Sequence, residues 1–122
     1  MKRDMELIRK IILQIEDSPS PSGRKFEGFE AYTAQQFGYH CYLIVDDGLA
    51  TGTSVATLGN PGPNYLINHL TSKGHDFAEA ARTEFIWGAA MKEVEDKGLV
   101  GAGLDVIRKI LDKKLRKHLD LD

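Results

Sequence analysis

Residues 45–51, Val45-Asp46-Asp47-Gly48-Leu49-Ala50-Thr51, and residues 65–75, Tyr65-Leu66-Ile67-Asn68-His69-Leu70-Thr71-Ser72-Lys73-Gly74-His75, hold the transitions that decide the fold. The first stretch ends a helix and opens a strand. Upstream of it, Phe37, Cys41, Ile44 and Val45 recur at helical spacing, which predicts a helix over about 34–47 with Thr33 as its N-cap. Gly48 accepts positive φ and stops that helix. Two runs rich in Thr, Val, Leu, Ile and Tyr follow, at 49–58 and 64–70, with Gly59-Asn60-Pro61-Gly62-Pro63 between them. That is a β-hairpin with a long tip. The second stretch then opens a new helix, with Thr71 as its cap. Phe77, Ala80, Ala81, Phe85, Met91 and Val94 predict that it runs unbroken to about 96, where Gly98 ends it.

Working outward, Ile8, Ile11, Ile12 and Ile15 make an amphipathic stripe over residues 3–17, with Met5 one turn earlier. Ser18-Pro19-Ser20-Pro21-Ser22-Gly23 breaks it, because proline lacks the N–H a helix needs. Lys25-Phe26-Glu27-Gly28-Phe29-Glu30 alternates weakly, which predicts a short edge strand. A glycine-rich turn from Gly98 to Gly103 leads into a last amphipathic helix at about 104–119, on Leu104, Ile107, Leu111, Leu115 and Leu119. The order is helix, short strand, helix, β-hairpin, helix, helix. It defines an α+β, winged-helix-like layout, read as one domain over residues 1–122, with the 59–63 turn as the wing. A full winged helix has an additional helix before the hairpin; residues 18–32 are short and rich in Pro and Gly, and the sequence leaves open whether they complete a helix-turn-helix.

The chain has 122 residues, 42% hydrophobic and 28% charged, enough to bury a core without a metal or a disulfide. Its one cysteine, Cys41, excludes an intrachain disulfide and fits a reducing compartment. Charges inside the first ten residues break any signal-peptide core, and no apolar run approaches membrane length. The expectation is a cytoplasmic protein with no membrane partner.

The net charge of −2 is unevenly spread. Residues 26–72 contain four acids and no Lys or Arg, whereas residues 97–122 contain seven bases and four acids. Phosphate neutralisation supplies most non-specific DNA affinity. The helix that would enter the groove (34–47) and the wing (59–63) have no cation, so charge disfavours DNA. A phage-type transcriptional regulator would have to use the chain ends: Lys2, Arg3, Arg24 and Lys25, and Lys113, Lys114, Arg116 and Lys117.

Five stretches carry a family resemblance. They are Met1-Lys2-Arg3-Asp4-Met5-Glu6-Leu7-Ile8-Arg9-Lys10-Ile11; Tyr39-His40-Cys41-Tyr42-Leu43; Asp47-Gly48-Leu49; Leu70-Thr71-Ser72-Lys73-Gly74-His75-Asp76-Phe77; and Asp105-Val106-Ile107-Arg108-Lys109. In this order the chain resembles the domain-of-unknown-function family 2513, hypothetical and often phage-associated bacterial proteins. The resemblance implies a winged-helix-like fold and no activity. Tyr32-Thr33-Ala34-Gln35-Gln36 stands where that family is usually more acidic, which alters surface chemistry and not fold.

No catalytic, cofactor or metal motif stands out. His40, His69, His75 and His118 lack the tight spacing of zinc ligands. Cys41 reads as a small buried hydrophobe, and neighbouring His40 faces elsewhere on a helix. His75, Asp76 and Glu79 have no nucleophile motif beside them. Gln35, Tyr39 and Tyr42 lie opposite the inner stripe and suit a protein interface, where aromatics are enriched. The alternative is that the tyrosines pack on the hairpin or the Pro-rich loop. The terminal helices are candidates for pairing two copies into a homodimer. The expectation is a non-enzymatic module that binds protein or dimerises.

Overall fold

The computed structural model describes residues 1–19, 25–55, 65–99 and 101–119. They form five helices and one two-stranded antiparallel sheet, a mixed α+β arrangement that a winged-helix-like layout fits loosely. The chain forms two compact units, Met1–His75 and Asp76–Asp122.

In the first unit, α1 (Met5–Asp17) buries Leu7, Ile8, Ile11, Ile12 and Ile15, the stripe read from the sequence. It packs on α2 (Ala34–Asp46) and on the second hairpin strand. Asp4 starts α1: its carboxylate accepts the N–H groups of Glu6 at 3.0 Å and Leu7 at 3.2 Å. The N–H of Asp4 donates to Nε2 of His40 at 2.8 Å, and Nδ1 of His40 lies 2.7 Å from the Gln36 carbonyl oxygen. An N–H only donates and a carbonyl only accepts, so these bonds set the tautomer with its proton on Nδ1. The buried His40 thus joins the start of α1 to the first turn of α2. Two of the resembling stretches, Met1–Ile11 and Tyr39–Leu43, meet here.

Thr33 and Gln36 form a capping box at the start of α2. Its end is a Schellman turn: Gly48 N–H bonds to Val45 O and Leu49 N–H to Ile44 O, with Gly48 at φ 77°. The hairpin pairs β1 (Ala50–Ser54) with β2 (Tyr65–Leu70), and an irregularity between Ala50 and Gly52 gives β2 the extra residue. The turn at 59–63 and residues 56–58 and 64 lie outside the described residues.

A second junction follows β2. Thr71 N–H donates to Leu49 O at 3.0 Å, its hydroxyl donates to Gly48 O, and the same oxygen accepts Gly74 N–H at 3.2 Å. Thr71 therefore caps α3 (Ser72–Arg82) while tying it to the end of α2. A Cβ on Gly74 would collide with the Leu49 carbonyl, so the close approach requires glycine. Asp47-Gly48-Leu49 and Leu70-Thr71-x-x-Gly74 are two sides of one clasp.

Two sequence expectations fail. Residues 25–30 form no strand; they are irregular, with a turn closed by Tyr32 N–H on Phe29 O at 3.0 Å. Side chains hold the segment on α1 instead of a ladder. Gln14 bonds both the carbonyl (2.6 Å) and the N–H (3.2 Å) of Glu27, and Lys10 donates to Gly28 O. The helix expected from 71 to 96 is two, α3 and α4 (Glu84–Asp96), separated by Thr83 in an extended conformation. The cause is a change of face. Phe77, Ala80 and Ala81 mark one buried stripe, and Ile86, Trp87, Ala90 and Val94 a second. At about 100° per residue the two are roughly a third of a turn apart. An unbroken helix would turn Glu84 inward. Phe85, expected among the apolar contacts, is instead 72% exposed.

In the second unit, α4 packs on α5 (Leu104–His118) through Ile86, Trp87, Ala90 and Val94 and through Leu104, Ile107, Ile110 and Leu111. Phe77 meets Trp87 edge to face at 6.1 Å. Lys114 of α5 reaches Glu93 of α4 at 3.0 Å. That bond, with Lys97 and Lys113 adding to it, holds the Glu93 carboxyl below its usual range. Among the described residues, no helix is long and apolar enough to cross a membrane.

Candidate functional site

The first unit carries an open groove of 620 Å³. Phe26, Phe29 and Tyr32 come from the segment held on α1. Thr33, Ala34, Phe37, Gly38 and Cys41 come from the start and the N-terminal half of α2, and Val55 and Tyr65 from the hairpin. The three phenylalanines support one another edge to face, with centroids 5.0 to 6.0 Å apart. Lys10 Nζ lies 4.7 Å from the Phe29 centroid, which fixes that ring from the α1 side. Phe37, in the first turn of α2 after the capping box, meets Phe26 at 5.1 Å and Phe29 at 5.0 Å.

Two polar groups of this groove, Cys41 and Tyr32, are held in their protonated forms. Burial pushes the Cys41 thiol up to about 12, so it is a thiol and not a nucleophilic thiolate at neutral pH. Desolvation, followed by the carboxylates of Asp4 and Glu6, raises the Tyr32 hydroxyl, which stays an O–H donor. The lining contains no Asp, Glu, Lys, Arg or His. The lining offers aromatic faces and a few hydroxyls, a surface for apolar side chains.

The sequence-derived interface residues lie beside this groove. Gln35 is exposed, while Tyr39 and Tyr42 are half-buried. The two tyrosines stack at 6.0 Å, and Tyr42 lies 6.0 Å from Tyr65, a groove residue. Tyr42 therefore meets the hairpin, the alternative that the sequence left open, and with Tyr39 extends the aromatic surface beyond the groove. Phe26, Phe29, Val55 and Tyr65 do not stand out as site residues in the sequence. The spacing Phe26-x-x-Phe29 is the available signal, and a strand reading of that segment masks it.

The basic residues are placed differently. Lys2 is exposed and Arg3 half-buried just before α1, Lys25 opens the aromatic segment, and Arg24 lies outside the described residues. Lys113, Arg116 and Lys117 are exposed on α5, where they share one face, whereas Lys114 is half-buried against Glu93. The other histidines do not assemble. His75 Nδ1 is 3.6 Å from Glu16, His69 Nδ1 is 3.1 Å from Leu70 O, and His118 rests on Phe85. Among the described residues, no group of three or more His, Cys, Asp and Glu side chains could hold a metal ion.

These features define a small α+β protein whose helix-to-hairpin junction positions an aromatic groove. The chain belongs to the family described as "Hypothetical protein (DUF2513)", whose model matches residues 2–100, a stretch that includes the whole groove. It is similar to an uncharacterized protein of Haemophilus influenzae, 26% identical over 111 residues, which span 90% of this chain and 92% of that protein. No solved structure matches it.

Proposed function

We propose that the protein is a non-enzymatic, winged-helix-like module of the cytoplasm that binds a protein partner through the aromatic groove. The observation that carries this reading is the groove's composition: five aromatic rings with no titratable base, nucleophile or cation in the lining. Aromatic anchors surrounded by uncharged surface are the usual core of a protein interface. A reaction site would need a group able to move a proton near neutral pH, and Tyr32 and Cys41 are both shifted the other way.

A DNA-binding regulator is the second reading, favoured only by the shared face of Lys113, Arg116 and Lys117 on α5. It is the weaker one. Neither α2 nor the described strands of the hairpin carry a Lys or Arg.

The test is affinity capture on immobilised protein from a bacterial lysate, comparing wild type with Phe29→Ala and Tyr65→Ala. A partner identified by mass spectrometry that is retained by wild type and lost from both variants, each still folded by circular dichroism, is expected. Identical captures from all three proteins would reject the groove as the binding surface.

A further inference from the structure

The aromatic groove holds hydroxyls that the fold does not use. Tyr32 and Tyr65 both line it, and both are half-buried. Tyr32 spends its backbone N–H on Phe29 O, but among the described residues neither tyrosine hydroxyl meets a hydrogen-bond partner. The Thr33 oxygen accepts Gln36 N–H at 3.0 Å, which leaves its own hydrogen to donate. Desolvation, with Asp4 and Glu6 nearby, keeps Tyr32 an O–H donor at neutral pH. No side chain of the lining carries a carboxylate or an amide. The groove therefore combines aromatic faces with O–H donors and has no charge of its own to match.

Three kinds of backbone could lie there, and they differ in the polar groups they bring. A helix spends its carbonyls on its own N–H groups, so it would cover the tyrosine hydroxyls without pairing them. A β-strand brings N–H donors along with its carbonyls, and the lining has no carboxylate or amide oxygen to receive them. A polyproline II segment has no internal hydrogen bonds, and each proline lacks the N–H altogether. What it presents is apolar rings and free carbonyls. The Phe26, Phe29 and Phe37 rings are inclined to one another at 65° to 82°, so the apolar surface they offer is angular and not a flat plate. An uncharged, acceptor-rich ligand is electrostatically complementary to an uncharged, donor-rich groove. Aromatic-lined grooves are a recurring receptor for such segments.

We infer that the aromatic groove binds an uncharged, proline-rich segment of a partner protein in the polyproline II conformation. Its pyrrolidine rings pack against Phe26, Phe29 and Phe37, and its carbonyls accept from Tyr32 and Tyr65. This rests on the groove being a protein interface and names the class of partner. Residues three apart share a face of that helix, about 9 Å from one another, so Pro-x-x-Pro spacing supplies two ring contacts. The conformation is set before docking, which limits the freedom lost on binding.

The probe is acetylated decaproline, titrated into the nitrogen-15-labelled full chain and followed by amide chemical shifts. Saturable shifts are expected over residues 26–41 and at Val55 and Tyr65, with α4 and α5 unaffected. Tyr32→Phe and Tyr65→Phe keep the ring and remove the donor, and each should weaken binding by about two- to tenfold, the scale of one hydrogen bond. Phe29→Ala should weaken it by roughly tenfold or more. Thermal melts check that the variants fold, and the two Tyr→Phe changes remove one oxygen each without touching the packing. A Gly-Ser peptide of equal length, with the same carbonyls and no rings, should not bind. Absence of saturable shifts with decaproline would overturn the inference, as would full affinity in both Tyr→Phe variants or equal binding of the Gly-Ser peptide. An amphipathic Leu-Gln helical peptide that shifts the same amides where decaproline does not would overturn the polyproline assignment and leave the interface reading standing. That reading fails separately, through unchanged lysate capture by Phe29→Ala and Tyr65→Ala.

Discussion

His40 and Cys41 are adjacent in sequence and do unrelated work. His40 spends both ring nitrogens on backbone groups, Asp4 N–H and Gln36 O, and Cys41 backs the aromatic groove. The helical stripe made the burial of Cys41 legible. The role of His40 was not legible, because its partner Asp4 is 36 residues away and nothing local marks the pair. Cys41 is 1% exposed and its thiol is pushed from 9.0 to about 12. At pH 8 the native thiolate population is therefore about a thousandfold below that of a free cysteine. Iodoacetamide should label the folded protein at a rate set by unfolding, and label it at once in denaturant. The same shift has a stability consequence. The native state holds the proton that the unfolded chain releases above 9.0, so this contribution is intact below pH 9 and is lost as pH rises toward 12. The limiting slope is about 1.4 kcal/mol per pH unit. Urea melts between pH 8 and 10.5 should show wild type losing stability faster than Cys41→Ala. Parallel curves would mean that Cys41 does not ionise on unfolding in this range.

At the scale of elements, the sequence's punctuation was more informative than its periodicity. Thr33, Gly48 and Thr71 marked their boundaries within a residue or two, since caps and αL turns are local chemistry. The readings that failed needed non-local facts. A strand at 25–30 requires a neighbour to pair with, and Gln14 and Lys10 of α1 hold that backbone instead. The break at Thr83 was present in the sequence as a change of apolar face, visible only if the stripe is followed continuously. Glycines at two helical sites give opposite predictions. At Gly74 a Cβ would strike the Leu49 backbone carbonyl, whereas at Gly88 it would meet nothing within 4 Å. Alanine is favoured over glycine in a helix by about 1 kcal/mol. Gly88→Ala should therefore raise stability by up to about 1 kcal/mol. Gly74→Ala should lower it by about 2 kcal/mol net, because the collision outweighs the propensity gain. In thermal melts the two variants should move Tm in opposite directions. A neutral Gly74→Ala would show that the α2–α3 clasp yields without cost, and Leu70-Thr71-x-x-Gly74 would then need another explanation.

At the scale of the whole molecule, charge decides between readings that the fold alone leaves equal. A winged-helix-like order invites a DNA-binding interpretation, but affinity for a duplex comes first from cations facing phosphates. Here residues 26–72, which contain α2 and the hairpin, have no Lys or Arg and four acids. The aromatic groove and the Tyr39–Tyr42 stack occupy that same stretch. Lys73, Arg82 and Lys92 lie in a stretch with more acids than bases, and the two chain ends carry the net positive charge. Lys2 and Arg3 precede α1 while Lys25 lies in another segment of the first unit, and Lys114 on α5 is matched by Glu93. On α5, Lys113, Arg116 and Lys117 share a face. Each cation that faces a phosphate adds about one unit to the salt slope of binding. Three cations on one helix are therefore expected to give a shallow slope and dissociation constants weaker than about 10⁻⁴ M, the weak limit of non-specific DNA binding at physiological salt. Anisotropy of a labelled mixed-sequence duplex, titrated at low and at moderate salt, measures both. Little binding at either salt is the expected result. Micromolar binding that falls steeply with salt, and that disappears in Lys113→Glu/Lys117→Glu, would instead make α5 the nucleic-acid surface.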